Sequence, residues 1–365
     1  MDSDLIVVGC GIVGASIALT AQKAGLRTRL IESRFPGAGV SAAGMGHLVA
    51  LDGSELALSA RALVLWRKIL ERDPERFEYR RTGTLWVAEN DSDLADLAER
   101  HDRLRVVGVP CELRDAAGLA QEEPALARDL AGGLLLAGDG IVYPPKAVHE
   151  FLTHAVELGA RIETGRRVTA LLSDGVILED ERRLAGAVVI ATGSAGSELL
   201  PELPLIPRKG HLVITETAPP LIRHQIVEAG YTQGLDAPGG LSIAMNVQPR
   251  PTGQLLIGSS RENGISDPLV SPDVTAAMMR RALRFLPGLN RLAITRIWTG
   301  LRPATPDGLP YIGRVPGRGA VWAAFGHEGL GITTAPATAE LLVEQILGGR
   351  GLLDPAPYDP ARCLQ

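Results

Sequence analysis

The chain has 365 residues, is 45% hydrophobic and 4% aromatic, and carries a formal net charge of -5 with a pI near 5.9. That length can bury a large core and suggests about two domains, while the mildly acidic balance offers nucleic acid no electrostatic footing. The three cysteines, Cys10, Cys111 and Cys363, are widely spaced and form no metal or redox pair. The acidic start Met-Asp-Ser-Asp is the opposite of a secretory leader, and runs such as Gly186-Ala-Val-Val-Ile-Ala191 are far too short to span a bilayer. A cytoplasmic location is expected, with peripheral membrane association left open.

Asp4-Leu-Ile-Val-Val8 predicts a first strand, and Gly9-Cys10-Gly11-Ile12-Val13-Gly14 leads into an apolar helix that Gly25 is placed to end. Thr28-Arg-Leu-Ile31 predicts a second strand, closed by the acid Glu32. The Gly-x-Gly-x-x-Gly spacing is weak by itself, because 42 glycines make chance matches easy. Inside a βαβ unit it acquires a physical meaning. Gly9 permits the tight turn, Gly11 lets the backbone approach a pyrophosphate, and Gly14 lets the helix pack closely on the strand. Glu32 stands where a carboxylate can accept from a ribose hydroxyl pair. A ligand-free glycine turn is the alternative, and the loop alone does not separate NAD from FAD.

A small-residue loop follows, from Arg34 to Gly46. Ser54 is placed to cap a helix with apolar residues at Leu56, Ala60, Leu63, Val64 and Ile69. Thr84 to Ala88 reads as a strand and Asp91 to Val107 as an amphipathic helix. Pro144-Pro145 opens a helix that Gly159 ends. Short strands over 161–164, 167–172 and 175–179 come next, with Glu179-Asp-Glu-Arg-Arg183 as a solvated hairpin tip. Ala187-Val-Val-Ile-Ala-Thr-Gly193 is a continuous apolar strand ending in glycine, the pattern of a parallel strand buried on both faces. Its late return implies a nucleotide domain assembled from separated segments.

From about residue 206 the pattern changes. His211–Thr215, Leu241–Gln248 and Gln254–Gly258 read as antiparallel strands, the last two joined by a hairpin over 249–253, and a helix spans Asp273 to Phe285. The expected class is α/β: a Rossmann-like domain of residues 1–80, 140–205 and 300–365, and an α+β substrate domain of residues 81–139 and 206–299 with a mainly antiparallel sheet.

Two motifs stand in the last third: Trp298-Thr-Gly-Leu-Arg302-Pro-Ala-Thr-Pro-Asp-Gly-Leu-Pro-Tyr-Ile-Gly313 and Ala324-Phe-Gly-His-Glu-Gly-Leu-Gly-Ile-Thr-Thr-Ala-Pro336. With Gly9–Glu32, Arg34–Gly46 and Val189–Ser194 they resemble the D-amino-acid-oxidase family of FAD-dependent amine oxidoreductases over almost the whole chain. The third segment lacks the tryptophan of the family's Ala-Gly-Ala-Trp. Gln248-Pro-Arg-Pro-Thr-Gly-Gln254 and Gly326–Ile332 are similar, more narrowly, to bacterial D-hydroxyproline dehydrogenases and to cyanide-forming glycine dehydrogenase and opine oxidase subunits. The resemblance implies non-covalent FAD held by Gly9, Gly11, Ile12, Val13, Gly14, Glu32, Ser33 and Arg34. It adds Ser41, Ala42, Ala43, Gly44, Met45 and Gly46, then Ala191, Thr192 and Gly193, with the backbone of Val168 on the adenine. It also implies that Gly329, Leu330, Gly331, Ile332 and Thr333 lie against the flavin pyrimidine ring, and that Arg302 meets both flavin and substrate carboxylate.

These residue types suit the implied chemistry. Oxidising an amine beside a carboxylate moves a hydride from the α-carbon to the flavin, and the protein must orient the substrate. Arginine's planar fork binds a carboxylate bidentately and keeps its charge; a surface salt bridge is the alternative for Arg302. A glycine-rich turn entering a helix offers N–H groups to the negative charge of reduced flavin, and Pro336 near the first helical position supports a helix start there. A plain strand–loop–helix connection is the alternative. His327 and Glu328 are candidates to line the substrate pocket or order water, or else serve as structural donors. His47 is a candidate to face the flavin. Tyr231, Met245 and Tyr311 are candidate substrate contacts, with core packing the other fate for Met245. Cys10 reads as a small filler, and no metal is expected.

The expected reaction is oxidation of the C–N bond of a small amino or imino acid to an imine, with D-hydroxyproline or D-proline the leading guess. A glycine- or sarcosine-type oxidase using O2 and a partner-dependent FAD subunit of a larger dehydrogenase complex are the alternatives. A homo-oligomer is also left open.

Overall fold

The structure is a computed structural model that describes residues 3–231 and 240–364. Two sheets organise it. The first has six strands in the spatial order Tyr311–Arg314, Val321–Phe325, Ala187–Ile190, Leu5–Val8, Thr28–Glu32 and Arg161–Thr164. All neighbours in it are parallel except the edge strand Tyr311–Arg314. Leu5–Val8 is buried throughout, and the reason its sequence does not alternate is visible in the packing. Leu5 and Val7 join the core made with the helices, while Ile6 and Val8 join a second core. That second core includes Val168, Val176 and Leu178 from the small sheet of Val168–Leu172, Gly175–Leu178 and Arg183–Ala185. Each such fully buried side chain is worth roughly 1.5–3 kcal/mol of transfer free energy.

The second sheet has eight strands in the order Ile294–Ala304, Ile206–Thr215, Leu255–Asn263, Leu241–Pro249, Gln225–Glu228, Thr84–Ala88, Gly132–Leu136 and Glu112–Asp115. It is antiparallel apart from the pairing of Gln225–Glu228 with Thr84–Ala88. The helix Pro272–Phe285 packs through Met278, Ala282 and Phe285 against Val213, Met245, Val247 and Ile257. The register between Ile206–Thr215 and Ile294–Ala304 sets Arg208 opposite Arg302 and Gly210 opposite Gly300. The expectations from sequence did not include Gln225–Glu228 or the full length of Ile294–Ala304.

Two expectations about helices need correction. The helix Leu56–Leu70 is preceded by Glu55, with no side-chain cap from Ser54, and it buries Leu58, Ser59, Ala62, Leu63, Trp66 and Leu70. Val64, expected on the apolar face, is 40% exposed. Pro336 is not at a helix start but inside the helix Gly331–Ile346. Its missing N–H removes the usual donor to the carbonyl of Ile332, four residues earlier. Trp66 replaces it: the indole Nε1 donates to Ile332 O (3.2 Å) and Thr333 O (2.9 Å). Among the described residues, no helix is long and apolar enough to cross a membrane, and no cluster of three or more His, Cys, Asp or Glu is placed to hold a metal.

Candidate active site

A cavity of about 320 Å3 runs from the carboxyl ends of the parallel strands to the face of the eight-stranded sheet. At its first end the glycine loop is shaped by steric exclusion. Gly9 has φ +104°, and a Cβ on it would stand 2.6 Å from Ala191 O; a Cβ on Gly14 would stand 2.0 Å from Gly9 O. Gly11 begins the helix Ile12–Lys23, which carries no side-chain cap from Gly11 and no acid in its first turn. An anion is the natural partner for such a helix end. Ile12 N–H donates to Ser41 Oγ (3.0 Å), which ties the small-residue loop to the helix. Glu32 accepts from Cys10 N–H and Arg34 N–H, each at 2.9 Å, so its carboxylate is fixed and still has acceptor capacity for hydroxyls. Thr192 lines the cavity with a buried Oγ1 that has no hydrogen-bond partner among the described residues.

At the other end, Arg302 projects from Ile294–Ala304 and lies against Gly210, where a Cβ would come within 2.5–2.8 Å of its Nη1, Nη2 and Cζ. Its Nη1 donates to Ser260 O at 2.9 Å. Glu328 follows Gly326 and adopts φ +46°, a left-handed conformation uncommon for a residue with a side chain. Gly329 N–H donates to Glu328 Oε2 at 2.7 Å, and Oε1 stands 3.5 Å from Arg261 Nε and 3.8 Å from Arg208 Nη1. Burial pushes the Glu328 carboxyl up, but Arg261, Arg302, the Gly329 N–H and Arg208 together outweigh it and hold the group below the ordinary range.

Two histidines flank this end. His327 is buried, its Nε2 is 3.0 Å from Thr338 Oγ1, and burial pushes its pKa down to about 4. His47 is pushed down to about 4, chiefly by burial and further by Arg250 and Arg302, against the opposing hydrogen bond with Gln225. Both imidazoles are neutral at pH 7. The helix Gly331–Ile346 starts after Leu330 with no side-chain cap and no acid in its first turn, offering a second helix N-terminus to negative charge.

The FAD dependent oxidoreductase (DAO) family model matches residues 4–345. The chain belongs to the DAO family. It is an FAD-dependent oxidoreductase, similar to a glycine oxidase of Pseudomonas aeruginosa, with 28% identity over 99% of each chain. It is also similar to hydrogen cyanide synthase subunit HcnC of the same species, with 27% identity over 98% of this chain and 96% of that one. Among solved structures, the L-proline dehydrogenase from P. horikoshii superimposes with a TM-score of 0.89 at 25% identity, covering 99% of this chain and 97% of that one.

The residues present fit FAD in this DAO-family chain. The cavity joins two uncapped helix N-termini, each suited to negative charge on a bound cofactor, and Glu32 and Thr192 would offer it polar partners.

Most residues singled out from sequence lie on the cavity wall. These are Gly9, Gly11, Ile12, Val13, Glu32, Ser33 and Arg34; Ser41, Ala43, Gly44, Met45, Gly46 and His47; Val168, Ala191, Thr192 and Gly193; and Arg302, His327, Glu328, Gly329, Gly331 and Ile332. Gly14, Ala42, Leu330 and Thr333 are not among the lining residues. Gly14 supports Gly9 from behind, Ala42 is exposed, Leu330 precedes the helix, and Thr333 Oγ1 donates to His47 O at 2.8 Å. Met245 is fully buried in the sheet core. Tyr311 is not a wall residue: it is fully buried, with its hydroxyl donating to Pro204 O at 3.1 Å and close to Cys363. Tyr231 ends the short turn Ala229–Tyr231, and its side chain lies outside the described part of the molecule. Cys10 is buried, and burial followed by the nearby Glu32 pushes its thiol up to about 12, so it is an inert filler.

Sequence reasoning missed Gly210 and Leu212, and also Arg166, Arg167 and Glu198 near Val168. The arginine pair Arg166-Arg167, at the start of the strand expected over 167–172, was a usable signal. Gly210 carried none until its strand was registered against Arg302.

Proposed function

We propose that the protein oxidises the C–N bond of a small amino or imino acid to an imine, with D-hydroxyproline or D-proline as the leading substrates. The observation that carries this reading is Arg302, seated on Gly210 beside Glu328 and the turn that starts the C-terminal helix. Bound FAD would supply the two-electron acceptor, taking a hydride at N5. The protein's own contribution is placement. Arg302 presents a fork that a carboxylate can bridge, which fixes the α-carbon of the substrate. Neutral His47 and His327 add no positive charge near a nitrogen that becomes cationic. The uncapped turn before Ile346's helix favours negative charge on the electron acceptor.

A second reading is a glycine- or sarcosine-type oxidase that passes electrons to O2, favoured by the full-length similarity to a glycine oxidase. The similarity to a cyanide synthase subunit supports a partner-dependent variant of either reading.

The deciding experiment adds a panel of D- and L-amino and imino acids anaerobically to the purified yellow protein. The substrate is the compound that bleaches the flavin, and oxygen uptake against dye reduction then separates oxidase from dehydrogenase. Arg302→Leu should retain FAD while apparent KM rises a hundredfold or more, or turnover vanishes. Normal turnover by that variant would refute the carboxylate role.

A further inference from the structure

We propose that Glu328 is the fixed counter-ion for the iminium cation that forms on the substrate, making this a site for donors whose reacting carbon bears a basic nitrogen. The inference rests on the amino-acid reading above and names how the site recognises that class.

Three observations support it. Arg302 and Glu328 both line the cavity, whereas Arg208 and Arg261 are not among its lining residues. The sheet end of the cavity, away from Glu32, Arg34, Arg166, Arg167 and Glu198 at the glycine-loop end, is therefore offered the cation Arg302 and the anion Glu328, with two further guanidinium groups set against the anion at 3.8 and 3.5 Å. Next, Oε2 accepts from Gly329 N–H, while Oε1 is held only by the longer ion pairs to Arg261 and Arg208 and has no hydrogen bond among the described residues. Finally, Glu328 holds a left-handed backbone conformation, a strain that surrounding structure must enforce and that concentrates at working sites.

The charge balance of the reaction gives this arrangement a purpose. The substrate enters the step as a neutral amine. Its α-carbon C–H bond breaks and the hydrogen leaves with both bonding electrons to the FAD. The nitrogen lone pair becomes the second bond of C=N, so nitrogen changes from neutral to +1. A carboxylate already in place stabilises that charge more in the transition state than in the ground state. A 2-hydroxy acid gains no such benefit unless its hydroxyl proton is accepted, and a carboxylate held ionised by three arginines is a weak acceptor. Arg302 takes the carboxylate common to both classes; Glu328 distinguishes them.

The test compares FAD-loaded wild type, Glu328→Gln and Glu328→Asp in two measurements. The first is the anaerobic rate of flavin bleaching at saturating substrate, using the amino or imino acid that reduces wild type. The second is binding of benzoate, a carboxylate with no amine, read from the flavin absorption spectrum. Glu328→Gln should slow bleaching at least a hundredfold while binding benzoate as tightly as wild type or more tightly. Glu328→Asp, which keeps the charge, should recover at least a tenth of the wild-type rate.

Bleaching by Glu328→Gln within threefold of wild type would overturn the proposal. So would loss of benzoate binding in that variant, which would make Glu328 a support for Arg302. If Glu328→Gln does not hold FAD, Glu328→Asp decides: a hundredfold loss with benzoate binding intact would show that the anion is not what matters. Failure of every amine to bleach wild type would instead refute the amino-acid reading itself, and is recognised before any variant is compared.

Discussion

Arg302 and Gly210 form a matched pair: the long cation is placed by the absence of a side chain on the neighbouring strand. Even one methyl group at residue 210 would lie 2.5–2.8 Å from the guanidinium atoms, closer than non-bonded contact allows. Gly210→Ala should therefore displace the fork. We expect apparent KM to rise at least tenfold, FAD stoichiometry to stay at one, and the thermal midpoint to move little; steady-state kinetics with a flavin count checks this. The arginine was legible because Gly300-Leu-Arg302-Pro303 is a motif with a chemical meaning. Gly210 was not, because its importance follows from the pairing of Arg208 with Arg302 and of Gly210 with Gly300, and strand register is a tertiary property. Glu32 lies between these cases. Its place after the second strand was readable, but its bonds to Cys10 N–H and Arg34 N–H, which fix the loop, were not.

The C-terminal helix shows the same division for a whole element. The glycine-rich turn and the helix after it could be expected from Gly329–Thr333, yet Pro336 pointed to the wrong starting place. Proline is acceptable inside this helix because Trp66 donates to Ile332 O and Thr333 O from 266 and 267 residues away, and no local pattern reveals such a partner. The indole also stacks on Phe151, with ring centroids 5.3 Å apart. Trp66→Phe keeps an aromatic ring but removes the donor. It should destabilise the protein by about 1–3 kcal/mol, the cost of leaving a buried carbonyl unsatisfied. Urea unfolding measures that loss. Because Thr333 also anchors the backbone of His47, FAD affinity should weaken in parallel, and unchanged affinity would mean the turn is held by other contacts. The helix Leu56–Leu70 was recognised but rotated, since its contact face is chosen by Trp66 and the packing partner rather than by its own hydrophobic pattern.

Across the whole molecule, buried titratable groups set how stability responds to pH. Burial pushes Asp139 up to about 7, and burial with nearby Glu328 pushes Glu55 up to about 8. Above the ordinary carboxylate pKa the native state then binds protons that the unfolded chain has released, so stability falls as pH rises toward 7 and 8. His47 and His327, pushed down to about 4, act in the opposite sense: between about pH 4 and 6.5 the unfolded chain binds the extra protons, and stability rises with pH. The effects oppose one another up to about pH 6.5; beyond it only the carboxyls remain. The thermal midpoint of FAD-saturated protein should fall by a few degrees between about pH 6.5 and 8 at constant ionic strength, and a rise would show that these carboxyls are ionised in the native state. The two-sheet plan was readable from the unbroken apolar runs near residues 5 and 187 and from the short strands with a hairpin connection after 206, whereas the mixed pairing of Gln225–Glu228 depended on contacts with Thr84–Ala88. The interleaved order of the six-stranded sheet also governs how the enzyme matures. Synthesis runs from the N-terminus, so the phosphate loop leaves the ribosome long before Ala191, which backs Gly9, and longer still before Arg302 and the turn that opens the last helix. A nascent chain carries half a cofactor seat through most of its translation. On the proposed site, flavin loading is therefore expected to come late, and a chain cut short before residue 333 should fail to retain FAD.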